Sequence, residues 1–238
     1  MMLNVILPAA GKGHRLNLPF SKEIFHIDNN KALIDFSFEH FLNCTRTQIH
    51  FIIVINENKS DILNYLTKYK KKFNITFIFQ NPTEYEYTGA IKSAKYLFGD
   101  YNLVLLPDTI VSFFQKNVYQ TVLDKLQNND FFFFYKKELD PNILSTKGAL
   151  GLKDNIVYKY QDKPQKNLYD FNAYWCSFGF TLDAFDSCIA YMEQSTLGKH
   201  KSSISLEQTS LYKSTGIEVK DYIDLGTWSS IKNQIGKK

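Results

Sequence analysis

The chain has 238 residues, of which 44% are hydrophobic and 22% are charged. These proportions are ordinary for a globular protein and exclude low-complexity disorder for most of the chain. The net charge is only +4, from 28 Lys and Arg against 24 Asp and Glu, so the charge balance gives no reason to predict a nucleic-acid partner.

The first half alternates short apolar runs with amphipathic segments. Strands are predicted at residues 3–7, 49–55, 75–79 and 103–106, and helices at 32–42, 61–69, 89–98 and 114–126. Such alternation builds a parallel sheet with helices on both faces, and such sheets bind ligands at the carboxyl ends of their strands. The predicted fold class is α/β, a Rossmann-like, mostly parallel sheet flanked by helices.

The second half has a looser pattern. Strands are predicted at 131–135, 148–152, 156–160, 175–182 and 217–219, helices at 184–194, 205–214 and from Thr227, and surface loops at 141–147 and 162–170. Neither an internal repeat nor a linker-like composition interrupts the chain. We therefore predict one domain over residues 1–238, elaborated after about residue 130.

The segment after the first predicted strand is rich in small residues. They allow backbone N–H groups to approach a polyphosphate, and they are Ala9, Ala10, Gly11 and Gly13. Arg15 can hold two phosphate oxygens, and Lys22 adds a compact charge. The segment matches neither the Walker pattern nor GxGxxG. Two glycines alone would favour an ordinary turn with solvated cations, but the strand context, Arg15 and Lys22 together favour a phosphate site.

These residues resemble the opening motif of the sugar-1-phosphate nucleotidyltransferases, in which a strand leads into G-x-G-[TS]-R-[LM] and then a loop that ends in lysine. The matching residues are Gly11, Gly13, Arg15, Leu16 and Lys22. His14 stands where the family usually has Thr or Ser. The run after Pro19 is most similar to the thymidylyl- and uridylyltransferase branches. The resemblance implies an enzyme that makes a nucleotide sugar and pyrophosphate, with Arg15 and Lys22 as catalytic residues.

Two aspartates extend the resemblance. Asp108 follows the fourth predicted strand, where the family has its first metal-binding Asp, although Pro107 replaces the usual glycine. Asp224 begins a segment that matches the family's D-x-G-T. The resemblance implies that both hold Mg²⁺, which takes few protein ligands and prefers oxygen. Each aspartate alone could instead begin a turn or cap a helix.

Weaker matches imply the remaining binding residues. Gln80 and Gly89 are similar to residues that contact the nucleotide base, so they join the loop residues as the predicted nucleotide site. Gly148, Asp162 and Lys163 resemble the acceptor site, in which the glycine lies beside the sugar and the lysine holds its phosphate. The resemblance thus places nucleotide binding at about 1–130, and acceptor binding with the second metal Asp at about 131–238.

Two departures leave the acceptor open. Lys147 replaces the aromatic residue that usually precedes the glycine, and Asp162 shortens the family's Glu. A cytidylyltransferase acting on a non-sugar phosphate such as phosphocholine is therefore an alternative. A catalytically silent nucleotide-binding regulatory protein is another, although Arg15, Lys22 and both aspartates argue against it.

Other patterns limit the partners. Three cysteines form no CxxC pair and the five histidines have no zinc-ligand spacing. No apolar run reaches the roughly 18 residues of a membrane span, and the N-terminal pattern does not indicate a secretory signal. We expect a cytoplasmic enzyme with a nucleoside triphosphate, pyrimidine favoured, and a phosphorylated small-molecule acceptor as partners, and with neither nucleic acid nor membrane. A homo-oligomer is compatible with the resemblance, since comparable enzymes are dimers or tetramers, but the sequence does not give the oligomeric state.

Overall fold

The computed structural model describes residues 1–27, 30–195 and 214–235. Within these residues the strands are β1 (Leu3–Pro8), β2 (Ile49–Ile55), β3 (Asn74–Phe79), β4 (Tyr101–Val104), β5 (Thr109–Phe113), β6 (Phe131–Lys137), β7 (Gly148–Lys153), β8 (Ile156–Asp162), β9 (Ala173–Thr181) and β10 (Ser214–Asp224). The α-helices are α1 (Asp35–Glu39), α2 (Ser60–Leu66), α3 (Glu86–Ser93), α4 (Val118–Leu126), α5 (Pro141–Leu144), α6 (Phe185–Ser195) and α7 (Trp228–Ile235). Short 3-10 turns lie at Lys22–Ile24, Thr67–Tyr69, Lys95–Leu97 and Leu168–Asp170.

The first four strands form a parallel sheet in the order β3-β2-β1-β4. Both faces of this sheet are covered, because alternate side chains of β2 enter two different cores. Phe51 and Ile53 pack in one core, whereas Ile52 and Val54 pack in the other, and all four are fully buried. Burial on both faces explains why β2 is an unbroken apolar run rather than an alternating one.

The second half adds antiparallel strands to the same sheet. β9 lies between β4 and β6 and runs antiparallel to both, and β10 runs parallel to β6. β7 and β8 form a hairpin whose two connecting residues, Asp154 and Asn155, have φ angles of 52° and 61°. Positive φ at both central residues is typical of a tight type I′ hairpin. The predicted α/β class is confirmed, and the strands of the second half make the sheet mixed.

Several predicted boundaries are wrong. The predicted helix at 114–126 begins only at Val118, where Asn117 accepts a hydrogen bond from the Gln120 N–H at 3.1 Å. The preceding residues of β5, rich in β-branched and aromatic side chains, pair antiparallel with β10. The predicted helix at 32–42 is reduced to α1 and flanking turns, and the predicted loop at 141–147 contains α5. The predicted helix at 205–214 lies outside the described residues except for Ser214, which begins β10.

A third, small core joins the first loop to the end of β10. Its buried members are Leu16, Ile27, Leu33, Leu225 and Ile231. Trp228, at the start of α7, donates its indole N–H to the Leu16 carbonyl at 3.0 Å. This packing holds the loop after β1 beside Asp224. Among the described residues, no helix has the length and apolar character needed to cross a membrane.

Candidate active site

The two predicted metal aspartates are brought together by the pairing of β5 with β10. Thr109 and Asp224 are register partners, and the Leu225 N–H donates to the Asp108 carbonyl at 3.1 Å. Asp108 therefore lies one residue from the cross-strand partner of Asp224. The local sequence pattern predicts no strand at 109–113, so the reason for the closeness of the two aspartates is found only in the fold.

Lys22 of the first loop forms an ion pair with Asp108. The side chains of the two residues are only 15% and 17% exposed. Burial disfavours the charged ammonium group, but the carboxylates of Asp108 and Glu23 outweigh that effect and raise the pKa of Lys22. The ammonium group therefore stays charged at neutral pH and provides a fixed positive charge near the first loop.

The turn after β2 and the start of α2 brace the loop that carries Lys22. Both Glu23 carboxylate oxygens lie 2.7 Å from the Lys59 Nζ, in a pair whose side chains are 1% and 6% exposed. Asp61 accepts the Ser21 N–H at 2.8 Å and the Ser21 hydroxyl at 2.5 Å. Residues on both sides of Lys22 are thus fixed, which restricts where its side chain can reach.

The first loop turns sharply after β1. Gly13 has φ +67°, a left-handed conformation that glycine adopts without steric cost, and its carbonyl accepts the N–H of Leu16 at 3.1 Å. The backbone of the preceding Ala9 and Ala10 is held by β2 and the residue after it: Ala9 donates to Val54 at 2.8 Å and Ala10 accepts from the Asn56 side chain at 2.6 Å. A Cβ on Gly11 would meet no atom within 4 Å, so its surface is open.

Arg15 lies beside the segment that follows β10. A Cβ placed on Gly226 would lie 3.2 Å from an Arg15 guanidinium nitrogen, so a glycine leaves room for Arg15 here. The Gly226 N–H donates to Asp224 Oδ1 at 2.9 Å. Arg15 itself is exposed and therefore accessible to a ligand.

Lys147, which departs from the family pattern, contacts the second aspartate. Its Nζ lies 2.8 Å from Asp224 Oδ2. Burial favours the neutral carboxyl group, but the Lys147 ammonium, the Gly226 N–H and Arg15 outweigh it and lower the pKa of Asp224. The only sequence signal for Lys147 was that departure, because a single sequence does not show how far the start of β7 lies from the end of β10.

The predicted acceptor residues meet at the paired ends of β7 and β8. Gly148 and Asp162 are register partners, and the Lys163 N–H donates to the Lys147 carbonyl at 2.9 Å. A Cβ on Gly148 would collide with the Trp175 indole, so this backbone approaches Trp175 as only glycine permits. Burial raises the pKa of Asp162, with Lys163 opposing and Glu86 adding to the effect.

The two predicted base-contacting residues also lie together. The Gln80 side-chain amide donates to the Glu84 carbonyl at 2.9 Å, and its backbone N–H donates to Ile55 at 2.8 Å. Gly89, in α3, approaches the same segment so closely that a Cβ would lie 2.7 Å from the Glu84 carbonyl carbon. Gln80 and Gly89 thus shape one short loop at the carboxyl end of β3.

The donor set fits Mg²⁺ in its chemistry. Among the described residues, no group of three or more His, Cys, Asp or Glu side chains is placed to hold a metal. Asp108 and Asp224 offer carboxylate oxygens, and Mg²⁺ is commonly held by one or two carboxylates while phosphates and water complete its shell. Each carboxylate pairs here with a lysine, so an ion would compete with Lys22 and Lys147.

The sequence matches a family model described as nucleotidyl transferase over residues 3–235. The chain belongs to the nucleotidyl transferase family. The expected membership of a nucleotidyltransferase family is thereby confirmed, and the site residues described above lie within the matched range. A comparison with curated proteins finds no match.

Solved structures support the same fold for this nucleotidyltransferase. An apo UDP-glucose pyrophosphorylase is 18% identical with a TM-score of 0.77, covering 100% of this chain and 98% of its own. A Bacillus anthracis protein described as a glucose-1-phosphate thymidylyltransferase, in complex with a sucrose, is 17% identical with a TM-score of 0.75, covering 100% and 95%. A UTP-bound UGPase from Acinetobacter baumannii is 14% identical with a TM-score of 0.74, covering 100% and 93%. At such identities the likeness shows the fold alone.

Proposed function

We propose that this nucleotidyltransferase couples a nucleoside triphosphate to a sugar-1-phosphate, giving a nucleotide sugar and pyrophosphate. The observation that carries the proposal is the meeting of two lysine–aspartate pairs, Lys22–Asp108 and Lys147–Asp224, from separate segments beside one glycine-rich loop. Similar structures are a UTP-bound UGPase and a UDP-glucose pyrophosphorylase complexed with UDP-glucose, which supports a pyrimidine nucleotide.

The proposed reaction is an in-line attack of the acceptor phosphate on the α-phosphorus. A phosphate monoester dianion is already nucleophilic, so the reaction needs positioning and charge neutralisation rather than a general base. Arg15 and the backbone amides around Gly11 and Gly13 bind the β- and γ-phosphates in this proposal. Lys22 neutralises charge that develops on the α-phosphoryl oxygens, and Lys163 holds the acceptor phosphate.

Asp108 and Asp224 are the residues that would hold Mg²⁺. The ion would supply positive charge to phosphate oxygens. The chain's own contribution is the placement of both carboxylates by β5 and β10, and the exposed Arg15 beside Gly226. Within the single domain that we propose, the half up to about residue 130 binds the nucleotide and the remainder binds the acceptor.

The test is pyrophosphate release from a panel of triphosphates and acceptors, with magnesium present. We expect a pyrimidine triphosphate with glucose-1-phosphate or another sugar-1-phosphate to give turnover. The substitution Asp224→Asn should slow turnover about 10²-fold or more, because a charge contact to the reacting phosphates is lost. Asp221→Asn is the matched control, since Asp221 lies on the same strand and is exposed.

Other outcomes separate the alternatives. Turnover with CTP and phosphocholine, but with no sugar-1-phosphate, would contradict the sugar acceptor while keeping the reaction. Nucleotide binding without pyrophosphate release from any acceptor would identify a silent binding protein. An equal loss of turnover in Asp224→Asn and Asp221→Asn would show that Asp224 has no special role.

A further inference from the structure

Lys147 forms an ion pair with the carboxylate of Asp224, which is expected to bind a metal. Its Nζ lies 2.8 Å from Asp224 Oδ2, while Asp224 Oδ1 accepts the Gly226 N–H. Both carboxylate oxygens are therefore engaged, one by a charged side chain and one by the backbone. Lys147 is the partner that can leave, because its side chain is flexible whereas the Gly226 N–H is fixed by the turn after β10.

The backbone of Lys147 belongs to the predicted acceptor site. Its carbonyl accepts the Lys163 N–H at 2.9 Å, and the next residue, Gly148, pairs with Asp162 across the β7–β8 hairpin. The side chain is 24% exposed, so it is not locked into the core. When its ammonium group leaves Asp224, Lys147 therefore remains at the end of the β7–β8 hairpin, next to Lys163.

We propose that Lys147 is a positioning residue that holds Asp224 and competes with a divalent cation for it, and that the cation releases the ammonium group toward the acceptor phosphate. The part that concerns the acceptor rests on the proposed function. Competition follows from charge: two cations cannot share one carboxylate oxygen without strong mutual repulsion, especially where water is partly excluded. An aromatic residue at this position could not compete in this way.

The competition is measured by Mn²⁺ binding without nucleotide or acceptor, using electron paramagnetic resonance of the free ion. Mn²⁺ is suitable because carboxylates bind it much as they bind Mg²⁺. We expect Lys147→Met to tighten Mn²⁺ binding about tenfold, since it removes the competing charge and keeps the side-chain length. Lys147→Arg keeps the charge and should bind Mn²⁺ as weakly as wild type.

Two further variants make the result specific. Asp224→Asn should abolish the tightened binding when combined with Lys147→Met. Lys153→Met removes an exposed lysine at the other end of β7 and should leave Mn²⁺ binding unchanged. The proposal is overturned if Lys147→Met binds Mn²⁺ like wild type or if Lys153→Met tightens binding equally. It is also overturned if adding Asp224→Asn to Lys147→Met leaves the tightened Mn²⁺ binding unchanged.

Steady-state kinetics test the release toward the acceptor. With the substrates found active, Lys147→Met should lower the half-saturating Mg²⁺ concentration and raise the acceptor KM several-fold, with a smaller change in kcat. An unchanged acceptor KM would overturn the release step. Because Mn²⁺ binding is measured without turnover, absence of pyrophosphate release from every acceptor would overturn the proposed function and leave the competition result independent of it.

Discussion

The two lysine–aspartate pairs are built differently. Lys22–Asp108 is the more buried pair, and the residues beside Lys22 are fixed by Glu23–Lys59 and by Ser21 on Asp61. Lys147–Asp224 is more exposed, and Lys147 follows the short helix α5, where its N–H donates to Leu144 at 3.2 Å. The difference indicates that the Lys22 ammonium group is set in place before ligands bind, whereas the Lys147 ammonium group, near the predicted acceptor residues, can move.

The strongest test of this difference is removal of the fixed ammonium group of Lys22. Lys22→Ala should lower kcat/KM for pyrophosphate release by about 10²- to 10³-fold, or about 3–4 kcal/mol, because it removes a preorganised charge. Lys147→Met should cost much less. Lys71→Ala is the control, since Lys71 is exposed just before β3, at the opposite end of the strands. Comparable losses in Lys22→Ala and Lys147→Met would remove the distinction between the two pairs.

The brace behind Lys22 should have a large effect on stability. Glu23→Gln leaves the Lys59 ammonium without its carboxylate in a buried site, and breaking such a pair costs about 3–5 kcal/mol. Urea unfolding would measure the loss. Glu39→Gln is the matched control, because its ion pair with Lys31 lies at the surface and should contribute less than about 1 kcal/mol.

A second variant tests the reason for that loss. Glu23→Gln combined with Lys59→Met removes both buried charges and should recover much of the lost stability. If the double variant is no more stable than Glu23→Gln, the unpaired ammonium is not the cause. If Glu23→Gln is as stable as Glu39→Gln, the pair does not brace the loop.

The smallest expected effect concerns the support of β5. The His40 ring packs edge-on against Phe113 at 4.8 Å, and burial lowers the pKa of His40 from 6.5 to about 4. The unfolded chain therefore binds a proton more readily than the folded one between these values, so stability is present above about pH 6.5 and falls as the pH drops toward 4.

The change in stability between about pH 8 and about pH 5 should be at most roughly 2 kcal/mol from this histidine, because pH 5 lies only about 1.5 units below the ordinary histidine pKa of 6.5. His40→Gln should reduce the pH dependence by that amount, as urea unfolding at both pH values would show. The comparison at the higher pH, where His40 is neutral in both states, gives the cost of the substitution itself. An unchanged pH dependence in the variant would contradict this role.

Local patterns predicted the strands of the parallel half well. β1, β2 and β3 lie within a residue or two of their predicted limits, because apolar runs between turn-forming segments are typical of strands buried on both faces. The resemblance also drew attention to Lys22, Asp108 and Asp224, which the fold brings together. Their roles, and those of Gln80, Gly148 and Lys163, stay predictions.

The sequence by itself determined the residue types of the site and the α/β class, since loop chemistry and apolar periodicity are local properties of the chain. Only the tertiary structure decided that β5 pairs with β10, which sets Asp108 beside Asp224, and that Lys147 reaches Asp224 from the position just before β7. Such pairings depend on which distant strands become neighbours. That choice is made by burial and backbone hydrogen bonding across the whole sheet, and no short stretch of sequence contains it.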